Sequence, residues 1–164
     1  MDNHDTQPLQ VLDSYIDFWF RPLAYGLIML RKQGIPCVFY TDIYGASYQD
    51  KEQQIDLVPV AELPLLLSIR AKLAYGSQID YLDHPNCIGW TRAGDQEHEN
   101  SGIAVLLCNG DEGYKFMEIG KGFAGKTFVD LLGKRKERVV IDENGCAEFF
   151  CNAGSISVWG LLVH

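Results

Sequence analysis

The hydrophobic period of this chain changes once, near Tyr75-Gly76, and that change limits the folds open to it. Before it, the spacing is helical. Ile16, Trp19, Phe20, Leu23, Leu27 and Leu30 follow i, i+3, i+4, i+7, which predicts a helix with one buried stripe, stopped by Gly34. Pro22 fits such a helix only in the first turn, where its missing N–H costs little. The short apolar run Pro36-Cys37-Val38-Phe39-Tyr40 reads as a strand buried on both faces. A second helix is predicted from about Leu63 to Ala74, with Leu65, Leu66, Ile69 and Leu73 inward, Pro64 in the first turn and Gly76 closing it. Residues 1–75 therefore read as one and a half β/α units.

After Gly76 the period is two. Strands are expected near 78–83, 87–93, 102–108, 114–119, 126–131, 138–142, 147–151 and 156–162. His84-Pro85-Asn86, Asn109-Gly110-Asp111 and Glu143-Asn144-Gly145 are the turn signals, and Asn144-Gly145 reads as a two-residue hairpin turn. Eight strands at this spacing indicate an antiparallel β-sandwich with Greek-key connections. The fold class expected is thus α/β followed by all-β, divided into 1–76 and 77–164. The first part lacks the strands that would cover its own edges, so the chain looks like the end of a longer protein that could self-associate through those edges.

At 164 residues the chain is too short for a complete (β/α)8 barrel, which takes about 250 residues. Its 47% apolar and 22% charged content is that of a globular protein. The net charge of −8 comes from acids scattered along the chain, which argues against nucleic acid or an anionic membrane as partner and suits a neutral substrate such as a sugar. No run of about 20 apolar residues could span a membrane. The start, Met1-Asp2-Asn3-His4-Asp5, is acidic and has no apolar core behind it, so a cytoplasmic location is expected. Cys37, Cys87, Cys108, Cys146 and Cys151 are odd in number and form no C-x-x-C pair, which favours reduced, mostly buried thiols over zinc or redox chemistry.

Four segments carry a family resemblance. Asn3-His4-Asp5, within Met1 to Gln7, resembles the Asn-His-Asp motif at the end of the seventh barrel strand in the α-amylase family of glycoside hydrolases. Gly34 to Gly45 resembles that family's eighth strand and following loop. Ala74-Tyr75-Gly76 and Tyr81 to Arg92 resemble the entry to its C-terminal β-domain, and Asp142 to Trp159 resembles the last hairpin of that domain. The segments occur in family order over essentially the whole chain, with bacterial cytoplasmic members as the nearest likeness. The resemblance implies the last units of a TIM (β/α)8 barrel followed by the β-domain, and endo-hydrolysis of α-1,4-glucosidic bonds in starch, glycogen or maltodextrin.

Retaining glycosidases use a nucleophilic carboxylate and a general acid about 5–5.5 Å apart. The family adds a third carboxylate that stabilises the oxocarbenium-like transition state. By position in the motif, the resemblance implies that Asp5 corresponds to that third carboxylate. It likewise implies that His4 corresponds to the imidazole that hydrogen-bonds the same sugar, that Asn3 belongs to the same substrate-binding motif, and that Asp42 and Tyr44 would help to shape the rim. The nucleophile and general acid of the family precede this motif, and no Arg two residues before an Asp lies at a strand end in the first half. The chain alone is therefore expected to be inactive. The alternative is a non-catalytic β-sandwich that holds glycan or packs on a partner. No cofactor or metal is expected here: the family's main calcium ligands lie upstream. A further site in the family would map near Asn86 and Asn109, where amides replace carboxylates. His84 reads as a turn residue, His98 as solvated, and Trp19, Trp90 and Trp159 as core.

Overall fold

The structure is a computed structural model that describes residues 1–50 and 52–162. The last two positions of the expected 77–164 domain lie outside the described residues. A six-stranded antiparallel sheet organises the molecule. Its strands are β3 (Gln78–Tyr81), β4 (Cys87–Arg92), β5 (Ile103–Cys108), β7 (Thr127–Asp130), β8 (Arg138–Val140) and β10 (Ser155–Leu161), in the order β3-β4-β5-β10-β7-β8. A two-stranded ribbon of β6 (Gly113–Glu118) and β9 (Cys146–Cys151) covers one face. Helices α1 (Arg21–Leu30) and α3 (Leu63–Lys72) cover the other.

β5 shows why the layers stack this way. All six of its residues are buried. Ile103, Val105 and Leu107 face the helices and pack with Tyr25, Met29, Leu66 and Trp90. Ala104, Leu106 and Cys108 face the ribbon and pack with Met117, Phe149 and Trp159. An antiparallel strand covered on both faces loses the polar alternation of a half-solvated one and reads as a continuous apolar run. Trp90 and Trp159 are fully buried, and each indole N–H finds an acceptor: Leu30 O at 3.2 Å and Phe150 O at 3.0 Å. Gly26 lets α1 lie close to the sheet, because a Cβ there would fall 2.1 Å from Ile156 Cδ1.

All eight expected strands after Gly76 are present, within one to two residues at their ends. Their pairing differs in two places. Asn144-Gly145 does not close a hairpin: β8 pairs with β7 and β9 with β6, so this turn carries the chain from one layer to the other. Gly145 alone of the two has positive φ (+84°), and its N–H closes a turn on Asp142 O. Cys151 to Ser155 likewise changes layers, so the expected last hairpin is a crossing too.

The first 76 residues depart further from expectation. Every strand pair among the described residues is antiparallel, and no barrel strand forms. Residues 36–39 form no helix or strand, so the expected strand is absent there. Tyr40–Tyr44 is instead a short helix, α2, and Ala46–Asp50 (β1) with Gln53–Leu57 (β2) forms a hairpin. Pro22 lies at the start of α1, which begins at Arg21, so Ile16 and Trp19 precede the helix and Trp19 is half exposed. Gly34 falls beyond the helix end. Leu65 faces outward, whereas Leu66 and Ile69 are buried as expected.

Candidate functional site

The N-terminal turn is built by Asn3. Its side-chain Oδ1 accepts the backbone N–H of Asp5 at 2.8 Å and that of Thr6 at 3.1 Å, and its own N–H donates to Thr6 Oγ1 at 3.0 Å. Asn and Asp favour such turns because the short side chain mimics a backbone acceptor. The turn presents His4 and Asp5 to solvent, with side chains 82% and 52% exposed and His4 Nε2 3.4 Å from Asp5 Oδ1. Among the described residues the Asp5 carboxylate meets no Lys or Arg.

Immediately before the turn, Asp2 is buried and tied to a charged hub. Arg21 Nη2 lies 2.8 Å from Asp2 Oδ2, and Arg21 Nη1 donates to Asp42 Oδ1 at 2.7 Å. Arg21 Nε donates to Ile16 O at 3.1 Å, and the Ile16 N–H donates to Asp2 Oδ1 at 2.9 Å. Tyr25 OH donates to the other Asp42 oxygen at 2.5 Å and accepts the Phe39 N–H at 3.3 Å. Burial, reinforced by the hydrogen bond to Asp42, pushes the Tyr25 hydroxyl well above the ordinary phenol range. One guanidinium thus joins the N-terminal turn, α1 and α2. Removing one partner of such a buried pair costs about 3–5 kcal/mol because it strands the other charge.

Asp42 is therefore not a rim carboxylate in this structure. It is wholly buried, and both of its oxygens are engaged. Tyr44 is exposed, its ring 4.7 Å from that of Tyr40. An open groove of about 640 Å3 is lined by Met1, Asn3, Ile28, Pro36, Val38 and Phe39 among others. It brings Asn3 together with the segment 36–39, while His4, Asp5 and Tyr44 are not among its walls. Asp2 and Arg21 were missed by sequence reasoning. The available signal was Arg21 in the first turn of α1, where the helix dipole disfavours a cation unless carboxylates answer it.

The remaining expected residues are placed as follows. Among the described residues no three His, Cys, Asp or Glu side chains converge to hold a metal ion. Asn86 and Asn109 meet at the end of the β4–β5 pair, Asn109 N–H donating to Asn86 O at 3.2 Å, and line a cavity of about 90 Å3 with Phe20 and Leu23. Two neutral amides against apolar walls do not suit calcium, which takes six to eight oxygens, usually with carboxylates among them. His98 is partly solvated, as expected, with its ring stacked on Tyr75 at 3.4 Å and its Nδ1 2.7 Å from Asp95 Oδ1. That contact holds the Asp95 carboxyl below its ordinary range. His84 Nδ1 accepts the Asn86 N–H at 3.2 Å and supports its turn. All five cysteines are free; Cys87, Cys108 and Cys151 are buried, Cys146 is half-buried and Cys37 is exposed. No helix among the described residues is long and apolar enough to cross a membrane.

Comparison with known proteins gives a consistent result. A family model described as α-amylase C-terminal matches residues 103–160. The cytoplasmic α-amylase of Escherichia coli (strain K12) is 49% identical over 162 residues, covering 96% of this chain and 32% of the relative. An α-amylase of Geobacillus stearothermophilus is 48% identical over 162 residues, covering 97% of this chain and 28% of its own length. The chain thus spans about a third of the length of these relatives. A crystal structure of an α-amylase from Geobacillus thermoleovorans, complexed with acarbose, superposes with a TM-score of 0.55 at 16% identity, over 89% of this chain and 34% of that one. At that identity the likeness concerns the fold alone.

Proposed function

Because this chain is the C-terminal part of an α-amylase-family sequence, we propose that it supplies one flank of an active site that hydrolyses internal α-1,4-glucosidic bonds of starch, glycogen or maltodextrin. In this reading residues 1–76 are the last part of the catalytic barrel and 77–164 the β-domain. Asp5 is the carboxylate that stabilises the oxocarbenium-like transition state. His4 donates a hydrogen bond to the same sugar ring, and both interactions strengthen as positive charge develops. Asp42 acts at one remove: through Arg21 and Asp2 it fixes the backbone from which Asn3, His4 and Asp5 project.

The observation that carries the proposal is the exposed Asp5 carboxylate beside His4, without another charged partner among the described residues, on a turn organised by Asn3, in a chain 49% identical to an α-amylase. The groove at Met1, Asn3 and 36–39 supports it, since a segment paired with no strand and flanked by apolar side chains is where further barrel strands would pair. Without them the same edge favours self-association.

Two further carboxylates are needed for bond cleavage, and Asp2 and Asp42 are committed to Arg21. The purified chain is therefore expected to release no reducing sugar from soluble starch. Co-expression with the N-terminal two-thirds of a related α-amylase should give activity that Asp5→Asn lowers by roughly 10²–10³-fold, the size of losing one transition-state contact. Turnover by the chain alone, abolished by Asp5→Asn, would refute the proposal. A second reading has one observation in its favour. Tyr114 and Phe116 stand exposed on the outer face of β6, with Phe150 opposite Tyr114, an aromatic surface suited to a non-catalytic glycan-binding module. Retention on immobilised starch, lost in Tyr114→Ala without any hydrolysis in the co-expressed assembly, would favour it.

A further inference from the structure

The chain is acidic overall, yet a cavity near two helix ends gathers basic side chains. A cavity of about 420 Å3 near the C-terminal ends of α1 and α3 is lined by Arg31, Lys32, Arg70 and Arg92, with Ala74 and Tyr75 in its walls, and no acidic residue lines it. The net charge of the chain is −8, so four cations without an acid among them are a local exception.

The partners of these cations show what is already balanced. Arg31 is neutralised by a two-pronged pair with Asp80, at 3.0 and 2.9 Å. Arg92 is almost buried; its Nε and Nη2 donate to Gly76 O at 3.3 and 3.2 Å, and its Nη1 reaches Leu30 O at 3.5 Å. Arg70 donates through Nη1 to Met29 O. These acceptors are carbonyls, which orient the guanidinium groups but do not cancel their charge. Arg70 Nε and Nη2 and Lys32 Nζ have no acceptor among the described residues. Burial lowers the Arg92 pKa, and the charge of Arg70 lowers it further against a weak opposing pull from Asp95, so the two cations act on each other.

We propose that this cavity binds a phosphate group, free or carried on a small ester, between Lys32, Arg70 and Arg92. The planar donors of Arg match phosphate oxygens in pairs, and Lys adds a mobile point charge at the mouth. A dianion balances more of this charge than a single carboxylate would. The cavity is of small-ligand size, and Ala74 and Tyr75 give an organic remainder an apolar wall.

Isothermal titration at constant ionic strength tests this on the chain as it stands, with inorganic phosphate, glucose 1-phosphate, and glucose as the neutral control. Saturable binding of phosphate compounds but not glucose is expected. Lys32→Glu, at an exposed side chain with no acceptor among the described residues, should weaken it at least tenfold, as should Arg70→Gln, while Lys136→Glu on another surface should bind like the parent chain. Tighter binding of glucose 1-phosphate would assign the site to an ester, and equal affinity to free phosphate. Absence of saturable binding by either compound, or parental affinity in Lys32→Glu, would overturn the proposal.

Discussion

Gly34 and Gly76 look alike in the sequence, each following a helix, yet the structure separates them. Their φ values are +84° and +82°, so Ala at either position enters the left-handed region at a cost of about 1–2 kcal/mol. At Gly34 nothing lies within 4 Å of an added Cβ. At Gly76 the Cβ would fall 2.0 Å from Gly94 O and 2.7 Å from Gly94 C and N, all backbone atoms that no rotamer change can move. Forcing the Gly94 loop aside should cost a further 2 kcal/mol or so, the scale of overpacking strain. Gly34→Ala is thus expected to cost about 1 kcal/mol and Gly76→Ala about 3. With a urea dependence of about 2 kcal/mol per molar, the two unfolding midpoints should differ by about 1 M. Urea titration followed by far-UV circular dichroism reads this directly. Equal midpoints for the two variants would show that the Gly76–Gly94 approach is not tight, and the argument for this junction would fail.

Other expectations concern the hub, acid stability, thiols and exchange. Arg21→Ala strands Asp2 and Asp42 and should lower stability by about 3–5 kcal/mol, whereas Asp5→Asn should leave the melting temperature unchanged; paired thermal melts check both. Arg31, Lys115 and His98 hold the Asp80, Asp83 and Asp95 carboxyls respectively below their ordinary range. Depressed folded values mean stability that is present above about pH 4 and lost as pH falls further, so an acid titration of Asp83→Asn should show a shallower decline than that of the parent chain. In a thiol-reagent assay Cys37 should react at once, Cys146 slowly, and Cys87, Cys108 and Cys151 only after unfolding; three fast thiols would contradict the packing. Amide exchange should be slow in α1, where Tyr25, Met29 and Leu30 are fully buried against the sheet, and fast across 1–15 and 33–39. Fast exchange in α1 would show that the helix does not share the sheet's core.

The later half of the chain was legible because each strand is marked by its own residues. Alternation in 113–118 and 146–151, and Gly-containing turns, locate strands without knowledge of their partners. Partnering was not legible: Asn144-Gly145 has hairpin composition, but Asn144 keeps negative φ and the chain changes layer there. The β1–β2 hairpin escaped notice because its sequence is polar and its strands are held partly by side chains, Ser47 Oγ donating to Asp56 Oδ1 at 2.7 Å and Gln54 Nε2 to Ser47 Oγ at 2.6 Å. The run at 36–40 has the composition of a buried strand, yet 36–39 pair with no strand among the described residues and Tyr40 begins α2. Of the candidate site, Asn3, His4 and Asp5 were found through family resemblance. Burial of Asp2 and Asp42 around Arg21 depends on contacts 14 to 21 positions apart, which no local pattern records.

The doubly buried centre strand has a consequence for folding fidelity. A slip of one residue in β5 would send Ile103, Val105 and Leu107 to the ribbon and Ala104, Leu106 and Cys108 to the helices, and hydropathy would not object to the exchange. Bulk would. On the ribbon side the backbone of Gly113 comes so near that a methyl group on it would sit 2.8 Å from Cys87 Sγ and 3.2 Å from Cys108 Sγ, leaving no berth for a branched aliphatic. Misaligned chains are thus rejected by volume, where most sheets reject them by polarity.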